Sequence, residues 1–251
     1  MTLISLLLLA ALLLCLSHSA SVEVSIINGT EAEPHSRPYM VSIQKKGKPI
    51  CGGFLVSKKF ILTAAHCWKK KKRLSAVLGA HDLSDKKEGS VRMKVKNYYP
   101  HPKYDASTHD NDIMLLKLCG KAKQNKTVNW ISIPKTNEDI KANSVCSVAG
   151  WGRTGSSKHG SKRLMETNIT VVDKIECNKL WENLLTPRMI CALHPGGSCK
   201  GDSGGPLVCG DTAVGIASFG QKDKCDAPTK PKIFTKISDF LPWIKTVIGK
   251  V

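Results

Sequence analysis

The sequence predicts an all-β fold with a single helix at its C-terminus. Short apolar runs broken by Gly, Pro and Asn recur along the 251 residues: Phe60–Ala65, Ile113–Leu118, Val145–Ala149, Pro206–Val208, Ala213–Ser218 and Lys232–Ile237. Runs of this length bounded by turn residues read as strands of a sandwich or barrel. Helical periodicity is scarce until the end of the chain. There Phe240, Trp243, Ile244, Val247 and Ile248 share one face after Ser238 and Asp239, a candidate N-cap. Apolar residues make up 41% of the sequence, enough for a large core. No solenoid-length repeat and no long low-complexity tract competes with that reading.

The first element is not part of the fold. Leu3–Leu16 is an almost unbroken apolar run, short of the roughly 20 residues that cross a bilayer. Small residues follow it, Ser17–Ser21. The pattern reads as a secretory signal peptide over residues 1–21, cut after Ser19 or Ser21, although its positive start is missing. The rival reading is an uncleaved anchor holding the same domain at a cell surface. Export makes cysteines competent for disulfides. Of ten, Cys15 leaves with the signal and nine remain, an odd number that sequence alone does not pair.

Charge narrows the partners. The formal net charge is +18, and residues 1–25 hold one acid, Glu23, and no Lys or Arg, so the chain from Ile26 carries +19. Lys69–Arg73 is an unbroken basic run and Lys45, Lys46 and Lys48 form another. Such a surface favours polyanions; the plain alternative is a solvated face. Aromatics are few and not interleaved with the basic runs, so base-stacking recognition of nucleic acid is unsupported. His18, His35, His81, His101, His109, His159 and His194 show no metal-ligand spacing.

Chemistry concentrates in Gly201-Asp202-Ser203-Gly204-Gly205-Pro206. A serine attacks an acyl carbon well when its oxygen is exposed, deprotonated by a neighbour and faced by donors for the oxyanion. Glycines let the backbone turn tightly with its N–H groups inward. This stretch resembles the nucleophile motif of the trypsin/chymotrypsin family. Three further segments resemble the same family in order: Ile26-Ile27-Asn28-Gly29, Thr63-Ala64-Ala65-His66-Cys67 and Asp110-Asn111-Asp112-Ile113.

The resemblance spans nearly all of Ile26–Val251 and implies two six-stranded antiparallel β-barrels, about 26–140 and 141–237, with a C-terminal helix over 238–251. It implies a serine endopeptidase that needs no cofactor and acts on protein or peptide substrates. Ser203 would be the nucleophile, His66 its base and then the acid for the leaving amine, and Asp112 the group that orients His66. The N–H groups of Gly201 and Ser203 would form the oxyanion hole. Maturation would cut after Ser25 and pair the new amine of Ile26 with Asp202. The implied disulfides are Cys51–Cys67, Cys146–Cys209, Cys177–Cys191 and Cys199–Cys225. Cys119 is then left over, read as a buried free thiol or as a site of further pairing. The calcium-loop acids of some relatives are not evident in the basic stretch Ala80–Lys87, and no metal is expected.

The family's primary pocket is set mainly by the residue six before the nucleophile, here Gly197 rather than Asp, which disfavours cleavage after Lys or Arg. Ser198 is small and polar, and Lys200 is a cation at the mouth. The wall position aligns with Lys232; strand alternation places Phe234 on the same face and Ile233 on the other, consistent with Lys232 and Phe234 both facing the pocket. A cation in a partly dry pocket seeks an anion, giving a preference for Asp or Glu before the scissile bond, as in granzyme B. The alternative is a Lys232 that reaches water over a pocket for bulky apolar residues, as in chymases. Cys199 and Cys225 depart from the granzyme B pattern. Ser218, Phe219 and Gly220 resemble the strip that binds the substrate backbone as an added strand, with Phe219 and His109 flanking the preceding side chain.

Thr30–Met40 resembles the N-terminal segment of granzymes and mast-cell proteases, which implies a secreted, granule-stored enzyme and a sulfated proteoglycan partner. Against it stand a cationic binding protein on a protease scaffold and a digestive enzyme, the latter disfavoured by Ser25 at the activation bond. Sequons begin at Asn28, Asn125 and Asn168. The four or six residues left before Ile26 suit removal by a dipeptidyl peptidase. Mass spectrometry of the secreted protein should therefore find a start four or six residues before Ile26, then Ile26 itself; an odd number would exclude removal in dipeptide steps.

Overall fold

A computed structural model describes residues 29–69, 72–153, 160–193, 202–221 and 229–249. The signal and propeptide (1–25), Ile26, Gly197, Ser198, Cys199, Lys200, Gly201 and Cys225 lie outside the described residues.

Two closed antiparallel barrels make up the molecule. The first runs β2 (Met40–Lys45), β3 (Lys48–Ser57), β4 (Phe60–Thr63), β7 (Met114–Leu118), β6 (Val91–Pro100) and β5 (Ser75–Leu78), and β5 closes on β2. The second runs β8 (Val145–Gly150), β9 (Met165–Val171), β10 (Met189–Leu193), β13 (Lys232–Lys236), β12 (Thr212–Phe219) and β11 (Pro206–Cys209), and β11 closes on β8. A short β1 (Thr30–Glu31) is added to the outside edge of β9. Each apolar run singled out in the sequence holds one of these strands. Full closure leaves no long unpaired edge in either barrel.

The cores explain the strands. Phe54, Leu55, Ile61, Leu62, Met114, Leu115 and Leu116 are fully buried in the first barrel, and Phe234 and Leu207 in the second. Truncating such a phenylalanine to alanine costs about 3–5 kcal/mol. Val208, Ala213 and Ile216 of the second barrel belong to the first barrel's cluster, so the barrels share a core at their contact.

Four helical elements accompany the strands among the described residues. His66 sits in a 3-10 turn, Ala65–Cys67. Helix α1 (Lys174–Leu180) is capped by Asp173, whose carboxylate accepts from the N–H of Ile175 and Glu176. The C-terminal helix differs at its start from the expectation. Ile237–Phe240 form a 3-10 turn, Ser238 Oγ donates to Asn137 Oδ1 (2.9 Å) instead of capping, and α2 begins at Leu241 and runs to Gly249. Ile237, Phe240 and Ile244 then enter the first barrel's core. Among the described residues no helix is long and apolar enough to cross a membrane.

Cys51–Cys67, Cys146–Cys209 and Cys177–Cys191 are bonded; the expected Cys199–Cys225 bond falls outside the described residues. Cys119 is free but exposed, not buried. Leu118, the last residue of β7, points inward, so alternation turns the next residue outward. A maleimide should label the native protein at Cys119 without denaturant, and Cys119→Ser should abolish that labelling; a thiol that reacts only after unfolding would contradict the exposed placement.

Candidate active site

Asp112 stands just ahead of β7, with no exposed surface. The chain reaches it through His109 and Asn111, both in left-handed backbone (φ 56°), a conformation that His and Asn enter more readily than most residues. The Asn111 amide donates to Lys103 O (2.9 Å) and holds that turn.

The Asp112 carboxylate is met from several sides. The backbone N–H of His66 donates to Oδ1 (2.9 Å), and His66 Nδ1 is 2.7 Å from Oδ2. From the other barrel Ser218 Oγ donates to Oδ2 (2.5 Å), and Thr235 Oγ1 donates to the Asp112 carbonyl (3.0 Å). His109 Nδ1 lies 3.7 Å from Oδ2, a charge contact rather than a hydrogen bond. Burial works against the charge on Asp112, but His109, His66 and Ser218 outweigh it and hold the carboxyl well below the usual range. The same carboxylate raises the His109 imidazole. Burial, with Asp112 and Asp105 nearby, pushes the Tyr104 phenol up to about 12.

Ser203 lies in the tight turn before β11. Gly204 has φ +84°, and a Cβ there would fall 2.6 Å from Gly52 O and closer still to Thr63 Oγ1. Gly204 N–H donates to Ala217 O (2.7 Å), and Gly52 N–H of the other barrel donates to Ser203 O (2.8 Å). These bonds hold the serine at the seam between the barrels. Ser203 and His66 line one cleft of about 390 Å3, floored by the Cys51–Cys67 disulfide.

Asp202 is buried beside two glycines. Gly152 N–H donates to Oδ1 (2.8 Å), and a Cβ on Gly150 or Gly152 would collide with the carboxylate. Its expected partner, the Ile26 amine, lies outside the described residues, as do Gly197, Ser198, Lys200 and the Gly201 N–H.

Lys232 starts β13 at the barrel mouth. Its Cδ and Nζ would lie 2.8 and 3.3 Å from a Cβ on Gly220, so the bare Gly220 backbone is what gives Lys232 room. Burial pushes its ammonium below the usual lysine range, and the charge of Asp202 acts against that. Phe234 shares the strand face, yet it is closed inside the second barrel and does not line the mouth. Beyond Gly220, Phe219 stacks on His109 (centroids 5.4 Å) and meets Trp181 edge-on, while His109 meets His66 edge-on (5.5 Å).

Two interactions were not foreseen from sequence. The Ser218 and Thr235 hydroxyls grip Asp112 from positions 106 and 123 residues away, and no local pattern carries such a contact. His66, His109 and Asp112 are metal-ligand types lying within 4.8 Å of one another. However, Asp112 Oδ2 is already taken by His66 and Ser218, and the cysteines beside His66 are disulfide-bonded. What the described residues form is an imidazole oriented by a buried anion, in one cleft with Ser203.

The trypsin family model matches residues 26–244. Granzyme-like protein 1 of Rattus norvegicus is 43% identical over 251 residues, covering 96% of this chain and 99% of that protein. Granzyme B of Rattus norvegicus is 42% identical over 250 residues, covering 95% and 98%. Cathepsin G of Homo sapiens is 38% identical over 229 residues, covering 89% and 87%. Among solved structures, neuropsin, a serine protease expressed in mouse brain, matches with a TM-score of 0.81 at 33% identity, covering 88% of this chain and 99% of that one.

The raised acidity of Asp112 has a defined sign. A carboxyl more acidic folded than unfolded contributes stability above its unfolded value, about 3.9, and that stability is lost as pH falls below it. Urea unfolding between pH 2.5 and 6 should show a steeper acid loss in the native protein than in Asp112→Asn; equal slopes would mean that Asp112 is not held in its charged form by the fold.

Proposed function

The chain belongs to the trypsin family of serine endopeptidases, and we propose that His66, Asp112 and Ser203 are its catalytic triad. The observation that carries this reading is the imidazole of His66 bonded through Nδ1 to a fully buried carboxylate, in one cleft with Ser203. With Nδ1 committed to Asp112, Nε2, whose polar contact among the described residues is only the Cys67 sulfur at 3.9 Å, is the nitrogen left for the serine. It takes the Ser203 proton as Oγ attacks the substrate carbonyl and returns it to the leaving amine. A water then opens the acyl-enzyme by the same route. The N–H groups of Ser203 and Gly201 receive the oxyanion, each donor worth about 2.7–4 kcal/mol of barrier. The Ile26 amine pairs with Asp202 after maturation, and Ser218 and Thr235 position Asp112.

The substrate carries Asp or Glu before the scissile bond. Support comes from Lys232, the described cation at the mouth beside Gly220, with Lys200 adding to it and Gly197 and Ser198 leaving the pocket without an acid. Ser218–Gly220 bind the substrate backbone. A second reading has one observation in its favour: burial lowers the Lys232 ammonium, the mark of a poorly hydrated surrounding, which suits a bulky apolar residue.

The setting is a secreted, granule-stored enzyme, supported by the apolar leader and the kinship with granzymes. A dipeptidyl peptidase activates it, and a sulfated proteoglycan binds its basic surface. Asn125 and Asn168, both exposed, are the glycan acceptors among the described sequons.

Protein beginning at Ile26 should cleave a peptide library after Asp or Glu, and Ser203→Ala should lower kcat/KM by on the order of 10^4-fold or more. Lys232→Gly should weaken the acidic preference selectively. Cleavage after Phe, Tyr, Leu or Met would overturn the acidic assignment, and no cleavage by either protein would overturn the enzymatic one.

A further inference from the structure

The cleft that holds His66 and Ser203 has a second wall that the triad does not use. Lys45, Lys69 and Lys72 line it, together with Ile50, Leu74 and the Cys51–Cys67 disulfide. No acidic residue is among its lining, and none of the three lysines forms an ion pair among the described residues. They come from separate segments, Lys45 from the end of β2 and the other two from the loop after the His66 turn.

The wall is built rather than loose. Trp68 Nε1 donates to Lys72 O (3.0 Å), Trp68 stacks on Tyr98 (4.8 Å, 11°), and Tyr98 Oη accepts from the Leu74 N–H (2.8 Å). Lys72 N–H donates to Lys69 O (3.2 Å), which ties the two lysines together. The Lys46–Gly47 turn holds Lys45 opposite Lys48 at the hairpin end. Lys72, Lys46 and Lys69 crowd Lys45 enough to lower its ammonium, the mark of cations gathered without a counter-charge.

The position of this wall gives it a role. Phe219 and His109 lie on one side of His66 and are not part of the cleft lining. With the acyl side of a substrate paired to Ser218–Gly220, the chain beyond the scissile bond leaves across Ser203 into the lysine-lined side. We propose that Lys45, Lys69 and Lys72 select substrates bearing Asp or Glu within the first three residues after the scissile bond. This rests on Ser203 and His66 being the reacting pair. It assigns residues for the leaving-group side, separate from Lys232 on the acyl side. The lysines act by electrostatic complementarity, which speeds encounter and is weakened by salt.

The test uses protein beginning at Ile26 and three quenched fluorescent peptides. They are identical before the scissile bond and carry Glu, Gln or Lys at the first three positions after it. An aminocoumarin amide of the same acyl segment has no residues on that side and reports the triad alone. The Glu peptide should show kcat/KM about tenfold above Gln, and further above Lys, with the gap narrowing between 50 mM and 500 mM salt. In Lys45→Gln/Lys69→Gln/Lys72→Gln the Glu-to-Gln ratio should fall to about one, with the thermal midpoint checking that the variant folds. Equal rates for the three peptides, alongside Ser203-dependent hydrolysis of the amide, would overturn the proposal and leave the triad standing. A preference that survives the triple variant would overturn the assignment to these lysines. Inhibition by a heparin oligosaccharide without any Glu preference would give the cleft to a sulfated glycan and likewise overturn it. Failure to hydrolyse the amide at all would instead sink the triad reading on which the proposal rests.

Discussion

The site depends on one buried anion. A carboxylate removed from water is tolerated only when its partners replace the lost hydration. Asp112 draws those partners from both barrels: the His66 backbone and ring from the first, and the Ser218 hydroxyl from the second. Thr235 adds a bond to the same residue's carbonyl. Satisfying Asp112 therefore fixes how the barrels sit against each other, and the imidazole orientation comes with it. Removing a partner from such a group costs more than the bond it made, because the charge stays behind unpaired.

Around that anion the charge is layered. Acids are inside, at Asp112 and Asp202, each wrapped in N–H or O–H donors. Cations lie nearer the surface, at Lys232 beside Gly220 and at Lys45, Lys69 and Lys72 in the cleft lining. Glycines make the inner layer possible. Gly150 and Gly152 leave space for a carboxylate, Gly204 allows the serine turn its left-handed step, and Gly220 makes room for a lysine stem. At each of these places a methyl group would meet backbone or a functional side chain.

Much of this was legible in the sequence, and the remainder was hidden for physical reasons. Six apolar runs mark buried strands, because a strand covered on both faces has no solvent-facing positions left for polar residues. Strand β6 alternates Val91, Met93 and Val95 with Arg92, Lys94 and Lys96 and stays largely exposed, so it carries no such run. Helix α1 is too short for a periodic signal, although Asp173 marks its start. The triad residues stood out because their neighbours form motifs. Ser218 and Thr235 did not, since hydroxyls on strands are commonplace and their partner is remote in sequence. Phe234 was misplaced toward the pocket because alternation gives the face of a residue but not its depth along the barrel. Cys119 was expected inside because the run before it is buried; the strand ends one residue earlier.

The docking of the C-terminal segment bears on the order in which the molecule is made. Ile237, Phe240 and Ile244 complete the core of the first barrel, although they follow every strand of both barrels in the sequence. A ribosome delivers the N-terminal half first, and domains generally begin folding in that order. Here the first barrel emerges with part of its interior missing and waits for the segment after β13 to fill it. A polypeptide that stops before Thr212 thus lacks both Ser218 and the apolar plug, and one that stops after Phe219 but before Ile237 still lacks the plug.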